Sequence, residues 1–409
     1  MRPLPFLLLT VGFLPACDDS DAAGEGTQLG DASVADAALE DAAQDAAADA
    51  APPAPDAAPP TERAPVDAPG PFAVGFHTET IEYTNPVTGV RPLDLHWWYP
   101  TDATEGAPVR YAGVFARMPV LGEAAPRPGA LPLVVFSHGN GGLAEQSFFF
   151  TEFLASHGFI VVAPDHTGNT FRDSSEPIWR LFEVRPQDIG AVLDHADALP
   201  ADHLLAGHLG PERALTGHSF GGYTSLAGGG AGYAVEALVA ACAETPETEA
   251  CQYVTAQDTQ ARYRAGFGDE RIQALIPMTP AGANLFGGDP GLAGINIPTL
   301  MMTAALDATL PNEAEGDPLW DGIAQPDSLR LDFQTAGHFT FSNACGLLPG
   351  MNGDGCGEGF LESTEAHRLI NAYALAFLRL HLLGDAGDAA LIDGTVRLDA
   401  GEIEISGVE

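Results

Sequence analysis

The sequence predicts an α/β fold: a mostly parallel central sheet flanked by helices, with a helical insertion. Three features point to it. From Pro71 onward, short apolar runs alternate with longer amphipathic segments, the rhythm of strands joined through helices. Most of the runs are continuously apolar rather than alternating, as for strands covered on both faces. A single long segment then interrupts the rhythm between two of the runs.

The chain has 409 residues, 45% of them hydrophobic, enough for one large domain with a substantial core plus appendages. Its formal net charge is -39, which argues against a nucleic-acid partner, since phosphate binding needs clustered cations. All 17 basic residues are arginine. The absence of lysine removes a P-loop lysine, a Schiff base and a Ser-Lys dyad. The acidity itself reads as a solvated surface.

Element by element, residues 1–17, MRPLPFLLLTVGFLPAC, carry one arginine and then an apolar stretch of about ten residues. That is too short to span a bilayer, which takes about 20, and suits an export signal. Leu14 to Cys17 resembles a bacterial lipobox, which makes Cys17 the acylated first residue of the mature chain and the protein exported and lipid-anchored to a bacterial membrane. Residues 18–70 are Ala, Asp, Gly and Pro with almost no large apolar side chain. They are expected to form a disordered tether of roughly 40 Å reach.

Strands are expected at Leu93–Pro100, Leu131–Gly139, Gly158–His166, Arg213–Ser219, Gln273–Pro280, Ile297–Ala305 and Leu329–Gly337. Helices are expected at Gly142–Ser156, at Pro186–Leu199 with Ile189, Val192, Leu193 and Ala196 on one face, and at Ser363–Leu383. Residues 228–272 are too long for a bare connection and read as a helical cap over the site. The folded domain thus runs over 71–384, and residues 385–409 form an acidic tail with some strand alternation.

Apart from Cys17, four cysteines remain. Close spacing in an exported protein favours Cys242 with Cys251 and Cys345 with Cys356, each bridge worth roughly 2 to 4 kcal/mol. Free thiols or a metal site are the competing readings. The stretch MNGDGCGE has a faint likeness to a calcium loop, but Cys356 stands where an oxygen ligand is needed.

The chemistry centres on RALTGHSFGG. Gly217, Ser219 and Gly221 make a G-x-S-x-G turn directly after an apolar strand, the arrangement that exposes a serine nucleophile on a sharp strand-to-helix turn. A serine hydroxyl needs a base to take its proton and an acid to orient the base. Both follow in the chain order Ser, Asp, His, each at the carboxyl end of a strand, where open α/β sheets bind ligands. Asp307 lies in ALDATLP after one strand and His338 in TAGHFTFSN after the last, with Asp317 or Asp321 as substitutes for the acid. His218 reads as packing. The loop SHGNGG, His138 to Gly142, brings backbone close to a developing oxyanion, with Asn140 and Phe220 as the N–H donors. The aromatics of QSFFF and FRDSSEPIWRLF read more as core than as an acyl pocket.

Together, VVFSHGNGG, LASHGFIVVAPDH, RPQDIGAVLD, GHSFGG and GHFTFSN resemble the platelet-activating factor acetylhydrolase and bacterial dienelactone-hydrolase-like branch of the α/β-hydrolases, over roughly residues 75 to 383. The resemblance implies an α/β-hydrolase fold and hydrolysis of carboxylic esters, lipid esters included, through an acyl-serine. It implies Ser219, Asp307 and His338 as triad, Asn140 and Phe220 as oxyanion donors, and no cofactor or metal. Two alternatives stand beside it: a polyester hydrolase with an open groove, and a noncatalytic, lipid-anchored binding protein on the same scaffold. Acyl and alcohol preference and oligomeric state are not legible.

Overall fold

A computed structural model describes residues 64–347 and 352–408, within a compact unit of Arg63–Glu409. The leader, Cys17 and the tether up to residue 63 lie outside the described residues. Residues 64–70, expected to be the last of the tether, instead belong to the folded unit. Gly70 N donates to Ser156 Oγ at 2.8 Å, the His157 ring bonds the Ala68 carbonyl at 2.9 Å, and Asp67 pairs with Arg368 at 2.9 Å. Beyond Val66, which packs against the core, polar partners dock this segment, so its composition gave little sign of it.

The parallel core of the sheet is built from β5 (Leu131–Ser137), β6 (Ile160–Asp165), β7 (Leu209–His218), β8 (Ala274–Met278), β9 (Leu300–Ala304) and β10 (Leu329–Phe333), next to four N-terminal strands, β1 (Ala73–Asn85), β2 (Gly89–Thr101), β3 (Ala107–Tyr111) and β4 (Phe115–Gly122). With β11 (Ile403–Gly407), the order across the sheet is β11-β10-β9-β8-β7-β5-β6-β2-β1-β4-β3. Pairing from β6 through β10 is parallel, whereas β2 joins β6 antiparallel and β11 joins β10 antiparallel. The tail therefore has a place: β11 covers what would otherwise be the open edge of β10.

Alternation along the strands feeds two cores. Leu133 and Val135 of β5 face the helices α2 (Ile178–Asp197) and α3 (Phe220–Gly228), whereas Val134 and Phe136 face α1 (Phe148–Ser156) and the long C-terminal helix Ser363–His381. Burial on both faces is why these strands read as continuous apolar runs.

Two helices depart from expectation for identifiable reasons. Gly142–Ser147 do not join α1, because side chains recruit their backbone into turns. Asp165 Oδ1 accepts Ala144 N at 2.6 Å, and Gln146 Oε1 accepts Gly139 N at 3.0 Å. Conversely, α2 starts at Ile178, eight residues before the proline expected to open it. A proline inside a helix leaves the carbonyl four residues back without its donor. Here that carbonyl is Phe182 O, and Tyr223 Oη donates to it, with Tyr233 Oη 2.6 Å from the same tyrosine oxygen.

The interruption at 228–272 is helical, with α4 (Val235–Ala241), α5 (Glu249–Thr255) and α6 (Gln257–Ala265). Cys242 and Cys251 form a disulfide that joins the end of α4 to α5. Its polar anchors go to α2: Arg262 and Tyr253 both bond the buried carboxylate of Glu183, and the Tyr253 ring lies 4.8 Å from Trp179. After β9 come α7 (Gly316–Gly322), α8 (Ala344–Leu347), α9 (Ser363–His381) and α10 (Ala389–Ile392). Cys345 and Cys356 form the second disulfide. No helix among the described residues is long and apolar enough to cross a membrane.

Candidate active site

Ser219 stands alone between the end of β7 and the start of α3, at φ 59° and ψ -118°. A residue with a side chain adopts this left-handed conformation only at a cost of about 1–3 kcal/mol, met by surrounding contacts. Its N–H donates to Met278 O at 2.9 Å, and its carbonyl accepts Tyr223 N at 3.1 Å. The flanking glycines are a steric necessity. A Cβ on Gly221 would fall 1.8 Å from Ser137 O, and one on Gly217 would fall 2.5 Å from both Ser137 O and Gly221 O. The turn is thus pressed backbone to backbone against the end of β5. Phe220 is the first residue of α3, so no carbonyl within the helix can receive its N–H.

The acid and the histidine expected from the sequence meet. His338 Nδ1 and Asp307 Oδ2 are 2.8 Å apart, and both residues are buried. The second carboxylate oxygen, Oδ1, accepts Leu310 N at 2.6 Å, which fixes the orientation of the acid. Asp317 and Asp321 lie on α7, and Asp317 pairs with Arg330 at 2.7 Å, so the acid on His338 is Asp307. The His338 ring stands next to the serine turn, its centroid 4.7 Å from that of His218.

The loop from His138 to Gly142 closes on the same turn: a Cβ on Gly139 would lie 3.5 Å from Ser219 Cβ. Its carbonyls are held on the far side by a buried arginine that the sequence reading passed over. Arg185 of α2 donates to His138 O, to Ser137 Oγ at 2.9 Å and to Asn169 Oδ1 at 2.9 Å, and packs over the Phe220 ring at 4.7 Å. Gly139 N is taken by Gln146 Oε1, so Asn140 supplies the next N–H of the loop. The Asn140 side chain is fixed by Asn169 Nδ2 at 2.8 Å.

Around this arginine lies a wholly buried set of charges. Asp188 receives Arg91 Nε at 2.7 Å, His166 Nδ1 at 2.8 Å and Tyr83 Oη at 2.5 Å. The opposite nitrogen of His166 bonds Ser137 Oγ at 2.9 Å. Burial and the nearby Arg185 push the His166 imidazole down to about 3. Burial also pushes Arg185 itself down to about 9. The same signal was present in the sequence, since Arg185 and Asp188 interrupt the apolar face that continues through Ile189 and Val192.

His218 is more than packing. Its Nδ1 accepts Gln146 Nε2 at 2.8 Å, so its Nε2 carries the proton donated to His338 O at 2.9 Å. Burial and the neighbouring His338 keep its pKa well below the ordinary histidine value. A neutral ring thus ties the loop at 139–146 to the backbone of His338. The aromatics of QSFFF are mainly spent on packing: Phe150 is buried, Phe149 stacks on His367 at 3.6 Å, and Phe148 lies under Arg117 at 4.3 Å.

The model of the α/β hydrolase family matches residues 134–388, more than half of the chain. The chain belongs to the α/β-hydrolase family. The matched span holds every residue of the α/β-hydrolase site described above except Arg91 and Tyr83, which reach Asp188 from the N-terminal strands. Among solved structures, the chain is similar to a ferulic acid esterase from Streptomyces cinnamoneus, with 21% identity and a TM-score of 0.58 over 84% of this chain and 99% of that one. No curated protein sequence matches it.

The buried histidines set a pH dependence for this α/β hydrolase. A histidine whose folded pKa lies below its unfolded value of about 6.5 takes up a proton on unfolding, so stability is complete above that value and falls as the pH drops below it. His166 alone is expected to cost about 2 kcal/mol at pH 5 relative to pH 7. His138 and His218, both pushed well down by burial, act in the same direction. Urea unfolding at the two pH values measures the difference, and equal stabilities contradict a neutral histidine network.

Proposed function

We propose that the protein is a serine carboxylic-ester hydrolase working through an acyl-serine. The strained Ser219 turn is the observation that carries this reading. A noncatalytic scaffold has no use for a left-handed serine on a turn whose preceding residue packs against an Asp-paired histidine.

In the proposed cycle His338 Nε2 takes the Ser219 proton as Oγ attacks the ester carbonyl, and Asp307 on Nδ1 stabilises the imidazolium. The Asn140 and Phe220 N–H groups receive the oxyanion. Collapse expels the alcohol, protonated by His338, and leaves the acyl group on Ser219. Water, deprotonated by His338, attacks the acyl carbon, and release of the acid returns the serine its proton. The substrate class is a small-molecule or lipid ester, in keeping with the resemblance to the acetylhydrolase and dienelactone-hydrolase-like branch.

The kinetic test is an ester panel of rising acyl length. The Ser219→Ala and His338→Ala variants are expected to lose at least about 10³-fold in kcat with folding intact. Retained turnover in Ser219→Ala defeats the assignment.

We also propose export and lipid anchoring at Cys17, with the tether holding the enzyme off a bacterial membrane. Two disulfides accord with an oxidising compartment. Expressed in a bacterium, the full chain is expected in the membrane fraction and Cys17→Ala in the soluble fraction. Identical partition of the two contradicts the anchor.

A further inference from the structure

We propose that Asp354 is a positioning residue that locks the loop of Asp307 to the loop of His338, an inference that rests on the acyl-serine reading. The sequence likened its surroundings to a calcium loop, but the carboxylate is committed elsewhere. Asp354 Oδ1 accepts two backbone N–H groups, Ala308 N at 2.9 Å and His338 N at 2.9 Å. The first belongs to the residue after the acid and the second to the histidine itself. Oδ2 accepts Thr309 Oγ1 at 2.5 Å, again from the loop of the acid. One oxygen atom thus bridges the two strand-end loops whose side chains must meet.

The backbone of the same residue adds to the clamp. Asp354 O accepts Phe339 N at 2.8 Å, so the histidine loop is held by both the main chain and the side chain of one residue. The contact is close: a Cβ on Gly337 would fall 2.3 Å from Gly355 N. Asp354 itself adopts φ 46°, and the Cys345–Cys356 disulfide closes the segment that carries it. Burial raises the Asp354 carboxyl, but its bonds from Thr309, His338 and Ala308 outweigh this and hold it below the usual aspartate range. It therefore accepts all three bonds as a carboxylate at neutral pH.

The consequence is specific. Asp307 orients the His338 ring through a single contact of 2.8 Å, and a slip of the loops lengthens that contact without altering where a substrate binds. Misplacement of a catalytic group by about 1 Å costs on the order of 10²-fold in rate. Loss of the clamp should therefore lower kcat and spare KM. Asparagine keeps an oxygen acceptor for both N–H groups and tolerates the left-handed backbone, so it should rescue what glycine cannot.

Steady-state turnover of p-nitrophenyl acetate by the full-length protein tests this, with wild type, Ser219→Ala, Asp354→Gly and Asp354→Asn compared and melting temperatures recorded. Asp354→Gly is expected to lose roughly 10- to 100-fold in kcat with KM within about threefold, and Asp354→Asn to stay within about threefold of wild type in both. An inactive wild type or a fully active Ser219→Ala defeats the acyl-serine reading itself. An active wild type and a dead Ser219→Ala beside a normal Asp354→Gly overturn the clamp alone. Equal losses in the glycine and asparagine variants also overturn it, because the charge and not the hydrogen bonds then matters. If Asp354→Gly does not fold, Asp354→Glu displaces the carboxylate by one methylene and must lose at least about tenfold in kcat.

Discussion

The site depends on one contact, backbone against backbone, between the turn at Ser219 and the end of β5. With Gly221 so close to Ser137 O that no Cβ fits, α3 must leave the sheet at a fixed place, and Ser219 must take the left-handed conformation that links it to β7. Everything else at the site is referred to that point. The loop at 138–142 starts where β5 ends, so the close approach of the turn also sets the distance from Asn140 and Phe220 to Ser219. Such a contact tolerates little adjustment, since a packed interior transmits strain instead of absorbing it.

Holding the loop in place is the work of buried polar groups, and their protonation states form a consistent chain. Arg185 donates to the loop carbonyl of His138 and to Ser137 Oγ, Ser137 Oγ donates to His166, and His166 donates to Asp188. With Nδ1 donating to the Asp188 carboxylate, His166 keeps Nε2 free to accept from Ser137 Oγ, which leaves it one workable tautomer. Burying an arginine and an aspartate is expensive unless every lone pair and proton is used. Here the network, satisfied except at Arg185 Nε, fixes which way the loop carbonyls point, and through His218 and Gln146 it reaches the backbone of His338. Stability and site geometry are thus coupled through the same hydrogen bonds.

Much of this was legible in the sequence because it rests on local patterns. Strands β5 to β10 are short, apolar and bounded by polar residues, and Ser219, Asp307 and His338 each stand at a strand end. The remainder depends on partners distant in the chain. The alternation of β1 over Thr78–Tyr83 offers only Ile81 and Tyr83 as large apolar residues, too few to mark a thirteen-residue strand. The early start of α2 hinges on Tyr223 answering for Pro186. Docking of residues 64–70 rests on Ser156, His157 and Arg368. Asp354 had the look of a metal ligand because its real partners, two backbone N–H groups, carry no sequence signature.

The central claim is that the serine turn and the loop together form a nucleophile and an oxyanion site. It is tested most directly by a crystal structure of the protein after reaction with an alkyl phosphonate ester. The account predicts phosphorus bonded to Ser219 Oγ, with one phosphonyl oxygen about 3 Å from both the Asn140 and Phe220 nitrogens. A protein that does not react, or an adduct whose phosphonyl oxygen faces away from both N–H groups, contradicts it.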